Sequence, residues 1–282
     1  MKIIILLSLA TTVFGLSINP LKVEYHQFES SSMTKFKDGM AKVSGVKYDS
    51  YTEEYRENGR HFQVPELLYR RAHRLSQSVF RAYPGDTGGH GTAFYVGGNL
   101  ILTNQHVLSP KRTNTKECKS FSIRLNDKQK GKTLKCEKVH YCSRSLDFCL
   151  IEMKDHKRGY SLKKETPLKL LKNNKYDEKM RTMVIGNPIG YGIHSSTGIG
   201  TVAQGPVSKF LNQFHFYAPL YGGNSGGPII DDQDNVIGIA SMQSVDLESE
   251  KAYNVGLPME TVLYVLEEKL KLSPEILNQL ND

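Results

Sequence analysis

Two successive runs of short, β-branched segments, each broken by glycine, proline and polar turns, narrow most sharply what this chain of 282 residues can become. The first run reads Gln77–Tyr83, Gly91–Val96, a Gly97-Gly98 turn, Asn99–Asn104, Lys119–Asn126, Lys132–Tyr141 and Asp147–Met153. The second reads Arg181–Gly186, Gly192–Gln204, Gln213–Tyr217, Pro228–Asp231, Val236–Ser241 and Ala252–Leu257. Segments of this kind between turn residues are strands, and about six per half predict an all-β fold of two six-stranded antiparallel barrels, over about 76–153 and 180–258. Lys154 to Lys179 is basic, polar and without a convincing period, so it reads as a surface linker. No sequence repeat relates the halves.

Helical patterns frame the strands. Pro65 opens a short stretch, Glu66–Leu75, and residues 259–272 form a closing amphipathic helix with Val262, Val265, Leu266 and Leu270 on one face. Ser273-Pro274-Glu275 starts a shorter helix over 273–282 with a capping residue and a proline at the first helical position. Lys2, the apolar run Ile3–Phe14 and small Gly15 have the order of a signal peptide over 1–15, with cleavage after Gly15. A membrane span needs about 20 apolar residues, so this run is no permanent anchor, and the expected product is soluble and secreted, extracellular or periplasmic. Residues 16–64 are polar and irregular and read as an N-terminal arm or a removable pro-segment ahead of the domain at 65–272.

Composition excludes other classes. With 39% hydrophobic and 23% charged residues the chain can bury a core, which rules out disorder. Its formal charge of +8 favours acidic partners without requiring nucleic acid. The basic run 111–144 holds the strongest bias; a solvated hairpin face is the plainer reading, a weak polyanion contact the sharper one, and no nucleic-acid module is present. All four cysteines, Cys118, Cys136, Cys142 and Cys149, fall within 32 residues, and export would let them form two disulfides. A hairpin turning at Lys128–Gly131 brings Cys118 near Cys142, whereas the next turn brings Cys142 near Cys149, so the pairings compete.

The chemistry gathers at three places. Gly222-Gly223-Asn224-Ser225-Gly226-Gly227-Pro228 is a glycine-rich turn between strands that presents a hydroxyl and converging backbone amides. Taken alone it is just a turn. Thr103-Asn104-Gln105-His106-Val107 ends a strand with a histidine, however, and Leu146-Asp147-Phe148 begins one with an aspartate. A serine hydroxyl is a poor nucleophile at neutral pH. It needs a neutral imidazole to take its proton and a carboxylate to orient that imidazole. Three residues in the order His, Asp, Ser, each at a strand end, make a catalytic set of His106, Asp147 and Ser225 with an oxyanion hole at the amides of Gly223 and Ser225. The sequence has no HExxH and no paired CxxC, and the reaction needs neither metal nor cofactor.

Over residues 76–270 the chain resembles the trypsin-like (chymotrypsin-fold) serine proteases, especially the bacterial HtrA/Deg-like and glutamyl-endopeptidase-like branches. The carriers are Gly89-His90-Gly91-Thr92-Ala93-Phe94, Leu102-Thr103-Asn104-Gln105-His106-Val107, Asp147, Ile185-Gly186-Asn187-Pro188, Gly223-Asn224-Ser225-Gly226-Gly227-Pro228 and Val236-Ile237-Gly238-Ile239. The resemblance implies perpendicular barrels with the site in the cleft between them, and a serine endopeptidase acting on proteins or peptides through an acyl-enzyme. About a dozen residues follow the closing helix, which leaves no room for the PDZ domain usual in HtrA/Deg proteins.

Departures from the family's pattern bear on specificity. Tyr217 stands where those relatives carry Asp, eight residues before the nucleophile. Pro219 stands where trypsin-type selection of basic side chains places Asp, and Ala240 where glutamyl endopeptidases place His. A buried cation or carboxylate would find no partner. Leu220 on one wall with Ala240, Ser241, Met242 and Gln243 on the other imply a mainly apolar pocket and cleavage after small or aliphatic residues. The rival readings are a non-catalytic binding or chaperone-like module on the same fold, and an esterase using the same three residues.

Overall fold

The computed structural model describes residues 66–270 apart from 86–88, 110–117, 126–130, 173–179, 191–192, 200, 203–212, 217, 219 and 247–250, together with three short strands nearer the N-terminus. Those three are β1 (Ala41–Lys42), β2 (Arg56–Glu57) and β3 (Arg60–His61). The expected signal peptide and terminal helix, 1–15 and 273–282, lie outside the described residues, as does most of 16–64.

The first barrel is closed. Its strands β4 (Val79–Tyr83), β5 (Gly91–Gly97), β6 (Leu100–Thr103), β7 (Ser122–Arg124), β8 (Thr133–Ser143) and β9 (Phe148–Met153) ring round in the order β4-β5-β6-β9-β8-β7. Closure removes the sheet edges that would otherwise pair with other chains. Three of these strands read as continuous apolar runs because both faces are buried. In β6, Ile101 points into the barrel while Leu100 and Leu102 point outward into a second core, and Phe94, Val96, Phe148 and Leu150 face the same way.

The second sheet contains β10 (Lys169–Leu170), β11 (Arg181–Gly186), β12 (His194–Ile199), β13 (Thr201–Val202), β14 (Phe214–Phe216), β15 (Pro228–Ile230), β16 (Asn235–Asp246) and β17 (Lys251–Pro258). Its path runs β1-β12-β11-β15-β16-β17-β14-β13. Strands β12 and β13 are separated by one residue of sequence. β12 pairs with β11 and β13 with β14 at opposite ends of this path, so among the described residues the second sheet forms a half-barrel beside the closed first barrel. Ala41 and Lys42 of the arm add an edge opposite Ser195 and His194.

Between the barrels lies the largest apolar cluster, which joins the outward faces of β5, β6 and β9 to Met183, Ile185, Ile230, Val236 and Ile239 of the second sheet. Helix α1 (Glu66–Ser76) contributes Ala72 and Leu75, and α3 (Met259–Leu270) contributes Met259, Val262, Leu263, Val265 and Leu266. Arg71 of α1 hydrogen-bonds to Asp234 and to the Asp231 carbonyl, and Arg74 also binds Asp234, on the turn joining β15 to β16. Arg71 and Arg74 thereby anchor α1 to the second sheet.

Two expectations are revised. The stretch 154–179 is no simple surface linker: Leu162, Leu168 and Leu170 are buried, Leu168 N bonds to the Tyr95 carbonyl at 3.0 Å, and β10 pairs in parallel with Asn235–Val236. A strand of two residues has no period to detect. The cysteines pair as Cys118–Cys136 and Cys142–Cys149. The second is one of the expected pairings. The first replaces Cys118–Cys142 because a turn closed by Phe121 N on the Cys118 carbonyl, 2.9 Å, folds the chain back before the β7–β8 ladder can extend.

Candidate active site

Strand register brings His106 to Asp147. Strands β6 and β9 pair with Thr103 opposite Cys149, so the residues just after the first and just before the second meet at the same end of the ladder. Asn104 ends β6 in an extended conformation and starts α2 (Gln105–Leu108), so His106 sits on one helical turn beyond the strand end expected for it. The Asn104 amide side chain does not cap that turn; its Nδ2 donates to the Asp147 carbonyl at 2.8 Å.

Asp147 occupies the left-handed region, φ 57°, which only a few non-glycine residues adopt and which costs roughly 1–3 kcal/mol when the surroundings impose it. What holds it there is a full set of donors. The His106 backbone N–H donates to Oδ1 at 3.0 Å, His106 Nδ1 bonds to Oδ2 at 2.7 Å, and Ser241 Oγ donates to Oδ2 at 3.0 Å. An ionised carboxylate is acceptor-only, so the proton of this pair lies on Nδ1 and Nε2 keeps its lone pair when the ring is neutral. The histidine side chain is 31% exposed and the aspartate 18%, leaving the ring accessible above a mostly enclosed carboxylate.

Ser225 arrives from the other barrel. Its turn follows Tyr221, whose hydroxyl burial pushes up to about 12, and precedes β15. The turn closes with Asn224 N on the Tyr221 carbonyl and Gly227 N on the Asn224 carbonyl, 3.0 and 2.9 Å. Gly226 N reaches the Ala240 carbonyl at 2.9 Å. Among the described residues, the amides of Gly223 and Ser225 donate to no protein acceptor. Glycine is required at Gly223 and Gly226. Both have positive φ, 98° and 85°, and a Cβ would stand 2.3 Å from the Asn187 carbonyl oxygen at the first and 2.2 Å from that of Thr92 at the second.

Thr92 joins the two barrels at this turn. Its backbone N–H donates to the Ser225 carbonyl at 2.9 Å, and its Oγ1 donates to the Gly223 carbonyl at 2.7 Å while accepting from Asn187 N at 2.9 Å. Thr103 Oγ1 in turn donates to the Thr92 carbonyl at 2.6 Å. These threonines, Asn187 and Asn224 are fully buried, so the network is shielded from competing water.

Ser225 Oγ donates to the Ser241 carbonyl at 2.9 Å. Ser241 lies at a bulge in the β16–β17 ladder, where the register shifts between Ala240 and Met242, and its own hydroxyl is turned to Asp147. The expectation placed Ser241 among substrate-lining residues; its side chain is committed to the carboxylate, a role with no local signature in the sequence. Leu220 and Ala240 are buried in the interior cluster of the second barrel. The side chains of Met242 and Gln243, and residues Tyr217 and Pro219, lie outside the described residues. The arrangement can supply a hydroxyl, an imidazole with an available nitrogen, a carboxylate that fixes that imidazole, and two amides without protein acceptors. Among the described residues no cluster of His, Cys, Asp and Glu could hold a metal ion.

A family model described as "Trypsin-like peptidase domain" matches residues 91–239. Among curated proteins the chain is 25% identical over 214 residues to Exfoliative toxin A of Staphylococcus aureus, covering 70% of this chain and 73% of the toxin. It is 24% identical over 170 residues to the chloroplastic Protease Do-like 5 of Arabidopsis thaliana, covering 58% of this chain and 51% of that protein. Among solved structures, the serine endoprotease from Yersinia pestis superposes with a TM-score of 0.55 at 18% identity, over 74% of this chain and 69% of that one. The HtrA-type protease AlgW, solved with a tripeptide, also gives 0.55, at 19% identity over 70% and 62%. At these identities the structural matches speak for the fold.

Proposed function

The chain belongs to the trypsin-like peptidase family of serine endopeptidases, and from that premise we propose that Ser225, His106 and Asp147 are its catalytic set. The observation that carries this reading is the chain of hydrogen bonds in which Asp147 holds both His106 Nδ1 and Ser241 Oγ while the Ser241 carbonyl holds the Ser225 hydroxyl. On this reading Ser225 exchanges its bond to the Ser241 carbonyl for one to His106 Nε2 by a χ1 rotation. His106 takes the proton as Oγ attacks the scissile carbonyl, and the Gly223 and Ser225 amides receive the negative charge on the carbonyl oxygen. The imidazolium gives its proton to the leaving amine, and water then releases the acyl group by the same steps in reverse roles. Asp147 keeps its negative charge throughout and stabilises the imidazolium.

Substrates on this reading are proteins or peptides cut after small or aliphatic residues, since Pro219 and Ala240 stand where relatives selecting charged side chains carry Asp or His. The protein is secreted: the apolar run 3–14 has signal-peptide order, and two disulfides suit an oxidising compartment. The basic run 111–144 serves as a solvated face, with Lys119, Arg124, Lys135 and Lys138 exposed, and makes at most weak contact with polyanions. A fluorophosphonate probe tests the reading directly. Covalent labelling mapped to Ser225 and lost in His106→Ala is the expected result; unlabelled, correctly folded protein overturns it in favour of a binding module.

A further inference from the structure

The two disulfides of the first barrel stand in different relations to the proposed site. Cys142 of β8 pairs with Cys149 of β9, and Cys149 pairs with Thr103 of β6. Their link therefore continues a row of paired residues across the barrel, at the end where Asn104, His106 and Asp147 leave the strands. Cys118 is joined instead to Cys136, which pairs with Met153 at the far end of the β8–β9 ladder. The Cys142–Cys149 link spans a sequence separation of 7 and encloses Asp147, whereas the Cys118–Cys136 link spans 18 and does not.

Backbone pairing holds this turn weakly. The β8–β9 register shifts twice before it reaches Cys142, between Cys136 and Lys138 and again between Val139 and Tyr141, and each bulge uncouples the pairs beyond it from the register behind. Residues 144–147 then turn with Arg144 and Ser145 exposed, and Leu146 N donates to Ser143 Oγ at 3.1 Å. Asp147 leaves that turn at φ 57°, a conformation its surroundings must impose. A bond between residues 142 and 149 keeps both ends of the turn at cross-strand distance whatever the ladder does behind them. Cys149 is fully buried, Cys142 packs against the same apolar cluster, and that cluster includes Val107 and Leu108, the two residues after His106. The link thus sits where the supports of the imidazole and of the carboxylate meet.

We propose that Cys142 and Cys149 are positioning residues for the reaction: their disulfide pins the turn that presents Asp147 to His106, whereas Cys118–Cys136 serves the fold. This rests on the endopeptidase reading and deepens it, by naming a covalent requirement for turnover. The sulfurs act through Asp147 and not on the substrate, so the two links should separate activity from stability.

The test compares three paired variants of the full chain with wild type on one peptide substrate, with a melting transition recorded for each. Cys142→Ala with Cys149→Ala should lower kcat roughly 10²-fold while KM stays within about 2-fold. Cys142→Val with Cys149→Val refills the buried space, so it should recover the melting transition and leave kcat low. Cys118→Ala with Cys136→Ala opens the longer loop, and it should lose more of the melting transition yet keep kcat within about 3-fold. Combined with Asp147→Asn, the Val pair should cost about 2-fold at most, because nothing is left for it to act through. A Val pair with full kcat overturns the inference, and so does a loss that adds in full to that of Asp147→Asn. Fully active wild-type protein whose Cys142 and Cys149 map as free thiols overturns it as well. In each case fluorophosphonate labelling of wild-type Ser225 leaves the endopeptidase reading standing, whereas a wild-type chain that neither labels nor cleaves any peptide overturns both.

Discussion

The two barrels hold their shares of the site by different means. In the first, the histidine and the carboxylate meet because β6 and β9 pair with Thr103 opposite Cys149, so a ladder of backbone hydrogen bonds inside a closed ring sets the distance between them. In the second, Ser225 rides on a turn tied to Ala240 of β16 by backbone bonds at Gly226 and Gly227 and to the opposite barrel by one buried threonine. Register is all-or-none, since a slip of one residue turns every side chain to the wrong face. A turn held by a few bonds, one of them from a side-chain hydroxyl, can be displaced by fractions of an ångström. His106 and Asp147 should therefore tolerate change nearby or fail outright, while the placement of Ser225 should respond in degrees.

The largest effect tests whether the barrels act on one reaction at all. Ser225→Ala and His106→Ala should each lower kcat for peptide hydrolysis by roughly 10⁴-fold or more, and the double variant should lose no more than either alone, because groups that act as a unit are not additive. Additive losses in single-turnover assays would separate them. Asp147→Asn comes next, with a loss of roughly 10³- to 10⁴-fold, since an amide offers Nδ1 the wrong partner and lets the ring take the other tautomer. An unchanged melting transition with collapsed kcat is the expected pattern, and full activity would remove Asp147 from the reaction.

Thr92 sharpens the contrast. Thr92→Val keeps the shape but leaves the Gly223 carbonyl and the Asn187 N–H without their buried partner, which costs about 1–3 kcal/mol of stability. It should also cost roughly 10- to 100-fold in kcat/KM through misplacement of the turn. Thr92→Ser keeps the hydroxyl and should restore most of both. A Val variant with lost stability and undiminished turnover would show that the turn is placed by other means.

The smallest effect concerns how α1 is tied to the second sheet. Burial pushes the Asp234 carboxyl up, but hydrogen bonds and charge from Arg71 and Arg74 outweigh it and hold the group below its ordinary 3.8. A carboxyl lowered in the folded state adds stability that is complete above the unfolded value and disappears as pH falls through the folded one. Arg74 is 64% exposed, so solvent screening keeps the gain small. Arg71→Ala with Arg74→Ala should lose at most about 1 kcal/mol at pH 7, and the difference from wild type in denaturant midpoint should shrink below about pH 4. A gap constant from pH 7 to pH 3 would assign the loss to packing of the arginine stems.

Much of this was legible in the sequence because burial leaves marks there. The apolar runs at 91–97, 100–103 and 148–153 announced strands buried on both faces, and the glycines at 223 and 226 announced a turn that only glycine can make. The residues of the candidate catalytic set were legible only together: His, Asp and Ser in one order, each beside a strand end, although each alone is an ordinary residue there. Ser241 and Thr92 were not, since hydroxyl residues are ordinary within strands and their partners lie 94 and 131 positions away. The short parallel strand Lys169–Leu170 was hidden for another reason: it borrows its order from β16 and has no pattern of its own.

Both disulfides close within the first barrel, and all four cysteines precede residue 150. That placement sets a calendar. As the chain is made from its N-terminus, everything the first barrel needs, its six strands and both covalent links, is present while 225 is still unmade, so it can close and oxidise first. The partner threonine and the imidazole then wait, already in position, for the last third of the polypeptide. On the proposed assignment, a molecule built in this sequence acquires Ser225 only after the first barrel is locked, and so has little opportunity to cut its own unfinished chain.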